Sequence, residues 1–135
     1  MHKVGFLSLS SNLVCENQQM VAWNRDISDK THSNHCFVKS SNHQTITVLK
    51  KGIYQVQVRL AGTNSSNTQS LALKVNGTDV AQCFQSDANC HQNTAQIFEI
   101  ISLKANDELQ VRCGCDRNSL PSDNGNRFTI FYLGV

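Results

Sequence analysis

TITVLKKGIYQVQVRLAG (residues 45–62) holds two strand-like runs broken at Lys50-Lys51-Gly52. After Gly52 the apolar residues Tyr54, Val56, Val58 and Leu60 alternate with Gln55, Gln57 and Arg59, the period-2 signature of a strand with one face on a core. IFEIISLKANDELQVRC (97–113) repeats the arrangement, with Leu109, Val111 and Cys113 alternating with Gln110 and Arg112. RFTIFYLGV (127–135) differs, because Phe128, Ile130 and Tyr132 point one way while Phe131 and Leu133 point the other. A strand that is apolar on both faces needs a cover beyond the core it helps to build, and what supplies that cover decides the function.

Outward from these runs the chain reads as further strands and turns. KVGFLSLSS (3–11), MVAWNRDI (20–27) and HCFVKS (35–40) are strand-like, the second ending in the turn-rich SDKTHSNH. TNSSNTQ (63–69) is a loop by composition. SLALKVNGTDVAQCF (70–84) predicts a hairpin, with Leu71, Leu73 and Val75 alternating against Ala72 and Lys74, and Asn76-Gly77 demanding a type I′ turn. SDANCHQNTA (86–95) is a loop, Lys104-Ala105-Asn106-Asp107 splits the double strand 96–113, and CGCDRNSLPSDNGN (113–126) is a long polar connection. No window has a helical period of adequate length. The expected fold is all-β, a β-sandwich or jelly roll of about ten short antiparallel strands.

Composition narrows the function classes. At 135 residues, 1–135 is expected to be a single domain large enough for its own core. Only 16% of residues are charged, so polarity rests on fourteen Asn and fourteen Ser, most of them between the apolar runs. A formal charge of +2 without a Lys/Arg run gives no footprint for nucleic acid. MHKVGFLSLSSNLVCENQ is too interrupted by serine for a signal peptide, and no segment approaches the roughly 20 apolar residues that span a bilayer, so membrane insertion is not expected.

The six cysteines, Cys15, Cys36, Cys83, Cys90, Cys113 and Cys115, do not follow a zinc spacing. Cys83 and Cys90 flank a polar connection that a disulfide between them would close, whereas Cys113 and Cys115 lie two apart on one strand and would make a strained pair. Asn64-Ser65-Ser66 and Asn76-Gly77-Thr78 are glycosylation sequons at predicted turns, which marks Asn64 and Asn76 as candidate acceptors.

The order AWN (22–24), GIYQVQV (52–58), LKVNGTDV (73–80), ISLKANDELQV (101–111) and RFTIFYLG (127–134) resembles the globular domain of the complement C1q and tumour necrosis factor superfamily, nearly end to end. Gly52-Ile53-Tyr54 stands where that family opens a central strand with glycine-x-tyrosine. Phe128 to Leu133 stands where an aromatic-rich strand ends the domain. Asn106-Asp107 replaces the family's frequent Gly-Asp turn. The resemblance implies a ten-stranded jelly roll assembled as a homotrimer that binds protein or surface ligands. It places the trimer seam on the face opposite the core, and Gln55, Gln57, Arg59, Gln110, Arg112, Thr129, Phe131 and Leu133 are the residues expected there. Two arginines and three glutamines on such a seam must find partners, water or an anion.

Catalysis has weak support. His35 and Cys36 are adjacent, so on a strand they point to opposite faces, poorly placed for proton transfer. His32, His35 and Cys36 lack a fourth zinc ligand, and Asp116, Asp123, Asn124 and Asn126 lack the spacing of a calcium loop. No enzyme activity, metal or cofactor is expected. The leading class is a non-catalytic, trimeric recognition module, extracellular or at the cell surface, that binds a protein or glycan ligand through exposed loops. An intracellular assembly module is the alternative if the thiols are reduced, and a metal-dependent lectin or an enzyme on a jelly roll comes third.

Overall fold

The computed structural model of the chain describes residues 5–13, 15, 18–28, 36–63, 68–86, 92–115 and 126–135. Its strands in chain order are β1 (Phe6–Ser10), β2 (Arg25–Asp26), β3 (Phe37–Lys39), β4 (Ile46–Val48), β5 (Gly52–Thr63), β6 (Thr68–Val75), β7 (Thr78–Ser86), β8 (Gln92–Leu103), β9 (Glu108–Cys115) and β10 (Arg127–Gly134). They form two five-stranded sheets, ordered β2-β1-β10-β5-β8 and β3-β4-β9-β6-β7, and every pairing is antiparallel. Strands consecutive in the chain, β5 and β6 or β8 and β9, belong to different sheets. This is the jelly-roll sandwich that the alternation predicted.

The alternating residues fill the space between the sheets. Tyr54, Val56 and Leu60 from β5, Leu109, Val111 and Cys113 from β9, and Phe128 and Ile130 from β10 are fully buried, with Val58 close to it. Trp23 packs on Phe128 with ring centroids 5.7 Å apart, and Tyr54 meets the edges of Phe37 and Tyr132 at 5.8 and 5.3 Å. Gly52 opens β5 because the Tyr132 ring lies against it. A Cβ there would also come within 2.7 Å of Gly134 O, so the glycine of Gly52-Ile53-Tyr54 answers to a close approach.

Two turns are tied to each other. Asn76 and Gly77 have φ of 51° and 83°, the positive pair that a type I′ hairpin needs between β6 and β7. The Asn76 side chain reaches the β8–β9 turn. Its Nδ2 donates to Asp107 Oδ1 (2.9 Å), its Oδ1 accepts from Glu108 N (2.9 Å), and its backbone N donates to Glu108 O (2.8 Å). In that second turn Asn106 holds φ 75°, a conformation that asparagine tolerates better than other non-glycine residues, which explains why it stands in place of glycine. Asn76→Ala removes two side-chain hydrogen bonds and strains a left-handed position, so unfolding in urea should show a loss of about 2–3 kcal/mol. A loss below about 0.5 kcal/mol, ordinary for surface substitutions, would contradict the clip.

The structure departs from the sequence expectations mostly at strand ends. β5 runs to Thr63 and β6 starts at Thr68, which takes both ends of the 63–69 loop into strands. β8 begins at Gln92 inside the expected 86–95 loop, and β9 continues through Cys115. MVAWNRDI is a strand only at Arg25–Asp26. Its apolar part instead bridges the sandwich: Met20 pairs with Arg112, Val21 N donates to Val111 O (2.8 Å), and Ile27 N donates to Ser8 O (2.9 Å) on the other sheet. Val21 and Trp23 are buried by this crossing, so their alternation marks core contact without a ladder.

Candidate functional site

The outer face of the β2-β1-β10-β5-β8 sheet carries the side chains that the core does not take. Strand register sets them in rows. Phe6, Phe131, Gln55 and Ile100 form one row; Ser8, Thr129, Gln57 and Phe98 the next; Ser10, Arg127, Arg59 and Gln96 a third. Phe6 and Phe131 stack with centroids 4.7 Å apart, and Ser8 Oγ lies 3.2 Å from Thr129 Oγ1. Phe98 and Ile100 are 57% and 59% exposed, Leu133 52% and Ile53 40%. Leu133 falls at a bulge, where the β10–β5 register shifts between Tyr132 and Gly134. The face is therefore graded: apolar at one end, hydroxyl-bearing in the middle and basic at the other.

Of the residues expected together on the seam, Gln55, Gln57, Arg59, Thr129, Phe131 and Leu133 belong to β5 and β10 of this sheet. Gln110 and Arg112 do not join them. Both lie on β9 in the opposite sheet, where Gln110 Nε2 donates to Thr45 Oγ1 (3.0 Å) and Arg112 pairs with Asp79 (3.0 Å). Lys74 (2.8 Å) completes that cluster, and its hydrogen bond, the largest cause, holds the Asp79 carboxyl below its ordinary range; desolvation opposes it, and the hydrogen bond and charge of Arg112 add to the lowering. Parity along β9 was right, but the jelly roll separates it from β5 and β10. The face in turn includes Phe6, Ile53, Phe98 and Ile100, which the sequence reading did not single out. For Phe98 and Ile100 the signal was available in IFEII (97–101), a run apolar on both faces as RFTIFYL is.

The other candidates separate clearly. Cys36 is a buried free thiol, and burial pushes its pKa up while the Lys50 ammonium pulls it down, so the net effect disfavours the thiolate that nucleophilic chemistry needs. The Tyr54 hydroxyl beside it is pushed up by burial and then by Cys36 and Tyr132, and it donates to Lys50 O. His32 and His35 lie outside the described residues, as do Asp116, Asp123 and Asn124; Asn126 is fully buried. Among the described residues no group of three His, Cys, Asp or Glu side chains is placed to hold a metal. Cys83 is a free thiol, and Cys90, the other half of the expected disulfide, lies outside the described residues. So does Asn64. Asn76 is exposed, and its Nδ2, the atom a glycan would take, donates a hydrogen bond to Asp107.

Residues 6–122 match a family described as a domain of unknown function, DUF8789. The chain belongs to that family. No curated protein matches this DUF8789 member in sequence. Its structure is similar to Eiger TNF from S. frugiperda, with a TM-score of 0.81 at 19% identity, covering 98% of this chain and 94% of that one. It is also similar to murine APRIL crystallised at pH 5.0, with a TM-score of 0.79 at 15% identity, over 97% of this chain and 100% of that one. At such identities the likeness speaks for the fold: the domain is a TNF-like jelly roll. No helix among the described residues is long and apolar enough to cross a membrane.

Proposed function

We propose that this DUF8789 chain is a single-domain, non-catalytic recognition module that works as a homotrimer, with the outer face of the β2-β1-β10-β5-β8 sheet as its seam. Gln55, Gln57, Arg59, Thr129, Phe131 and Leu133, with Phe6 and Ile100, line that seam. The observation that carries the reading is the exposed apolar surface of this face, with Ile53, Ile100 and Leu133 toward one end and Phe98 in the middle row, each at least 40% open. Contiguous apolar surface of this kind on a sheet face marks an association site, and a closed cyclic assembly covers it on every copy. The TNF-like fold supports the same arrangement. Loops left outside the seam contact a protein or glycan ligand in an extracellular or cell-surface setting. Nucleic acid and membrane insertion have no part in this reading.

Light scattering at micromolar concentration should give about three times the monomer mass. A monomer across a wide concentration range would sink the proposal. The free thiols of Cys36 and Cys83 favour a second reading, an intracellular assembly module with the same seam. Thiol titration of protein purified from its native source separates the two: Cys83 modified or disulfide-linked supports the extracellular setting, Cys83 reduced the intracellular one.

A further inference from the structure

Asn76-Gly77 is one of two Asn-Gly pairs in the chain, the other being Asn124-Gly125. Such a pair carries its own chemistry. The backbone nitrogen of the glycine can attack Cγ of the asparagine, because no Cβ on the glycine blocks the approach. A C–N bond forms, the Cγ–Nδ2 bond breaks, and Nδ2 leaves as ammonia with the proton that the glycine amide gives up. Water then opens the resulting five-membered imide at either carbonyl, which leaves aspartate or its β-linked isomer.

In the turn between β6 and β7 the reacting groups meet solvent. Asn76, Gly77 and Thr78 are exposed, a Cβ at Gly77 would touch nothing within 4 Å, and Gly77 N donates no hydrogen bond among the described residues. What restrains the pair is the carboxamide's engagement with the next turn. Nδ2, the leaving nitrogen, donates to Asp107 Oδ1, and Oδ1 accepts from Glu108 N, both at 2.9 Å. Ring closure swings Cγ onto the backbone of its own turn and competes with both contacts, so the reaction runs from the moments in which the clip is open.

We propose that Asn76 is a deamidation site whose rate is set by its hydrogen bonds to Asp107 and Glu108, and that its conversion unties the β6–β7 turn from the β8–β9 turn for good. The product cannot remake the clip. Hydrolysis puts a carboxylate oxygen where Nδ2 donated, an acceptor facing the Asp107 carboxylate, and two carboxylates in contact repel. The β-linked isomer also routes the main chain through the former side chain, which lengthens a turn that has only two residues. Loss of ammonia to solvent makes the change one-way. β6, β7 and β9 belong to the sheet opposite the proposed seam, so the inference does not rest on the trimer.

The test uses the whole chain, made in bacteria so that the Asn76 sequon carries no glycan, and aged at mildly alkaline pH both folded and in urea. Mass spectrometry of the peptides follows the exchange of amide for acid. In urea Asn76 and Asn124 should react alike, which calibrates the assay. In the folded protein Asn76 should react about 10- to 100-fold more slowly than in urea, the effect of two hydrogen bonds that must open first. Asp107→Ala should recover about tenfold of that rate. Because Asp107 Oδ2 also accepts from Lys104 N (2.8 Å), this variant is first checked for a native melt. Asn76→Asp, which installs the product directly, should melt several degrees lower, as should the aged native protein. A folded rate equal to or above that in urea overturns the restraint, and so does a natively melting Asp107→Ala that reacts no faster. An Asn76→Asp chain as stable as the native one overturns the untying. Should Asp107→Ala not fold, the ratio of folded to urea rates and the Asn76→Asp melt decide.

Discussion

Ile130→Arg is expected to leave no folded protein. Ile130 is fully buried, opposite Val56 on β5 and Leu7 on β1, in the middle of the sheet that also carries Trp23's partner Phe128. Among the described residues no acidic side chain is buried in that core to receive a guanidinium. An uncompensated buried charge costs about 3–5 kcal/mol, to which the lost packing of the isoleucine adds, against a typical domain stability of about 5–15 kcal/mol. Circular dichroism should show loss of the β-sheet signal, or a melting midpoint too low to measure in buffer. A variant that keeps a native melt would mean that β10 turns its other face to the core.

Phe131→Arg, one residue further, should leave the sandwich standing and take the assembly apart. Phe131 is half-buried on the outer face, between Phe6 and Gln55. Within one protomer the substitution loses the stacking on Phe6, about 0.5–1.5 kcal/mol beyond its area, and the arginine head can stay in water. In the proposed trimer it would sit at the apolar end of the seam, in the row that carries Ile100. Desolvation of an unpaired charge then opposes association at each of the three copies. Repulsion from Arg112, which parity alone would suggest, plays no part, because Arg112 is engaged by Asp79 on the opposite sheet. At about 3–5 kcal/mol per buried charge, association weakens by at least two orders of magnitude for each contact. Sedimentation should report monomer while circular dichroism remains that of the native protein. An unfolded Phe131→Arg, or one that stays trimeric, would place the seam elsewhere.

The contrast between these neighbouring substitutions shows what was legible in the sequence. Successive side chains on a strand point to opposite faces, so alternation alone assigned Tyr54, Val56, Val58, Leu109, Val111, Cys113, Phe128, Ile130 and Tyr132 to the core; the first eight are buried, and Tyr132 is partly buried and packed against them. The type I′ turn at Asn76-Gly77 was equally local, since it depends on two residues that accept positive φ. The resemblance, carried by the order of loose motifs, led to the TNF-like jelly roll that the similarity to Eiger TNF supports.

Strand partnership was not legible, because a period of two says which face a residue occupies and nothing about which sheet the strand joins. Gln110 and Arg112 have the same parity on β9 as Gln57 and Arg59 on β5, and nothing local distinguishes them. Only the crossing from β8 to β9 sends one pair to each sheet. The same holds for MVAW, whose alternation is real but reflects burial between sheets, with Val21 bonded to one side and Ile27 to the other. Sequence by itself determined the faces of each strand and the chemistry of its turns, which are set by backbone geometry within a few residues. The tertiary structure alone decided that Arg127 stands opposite Arg59 and Phe6 against Phe131, because those pairs are 68 and 125 residues apart and meet only through register.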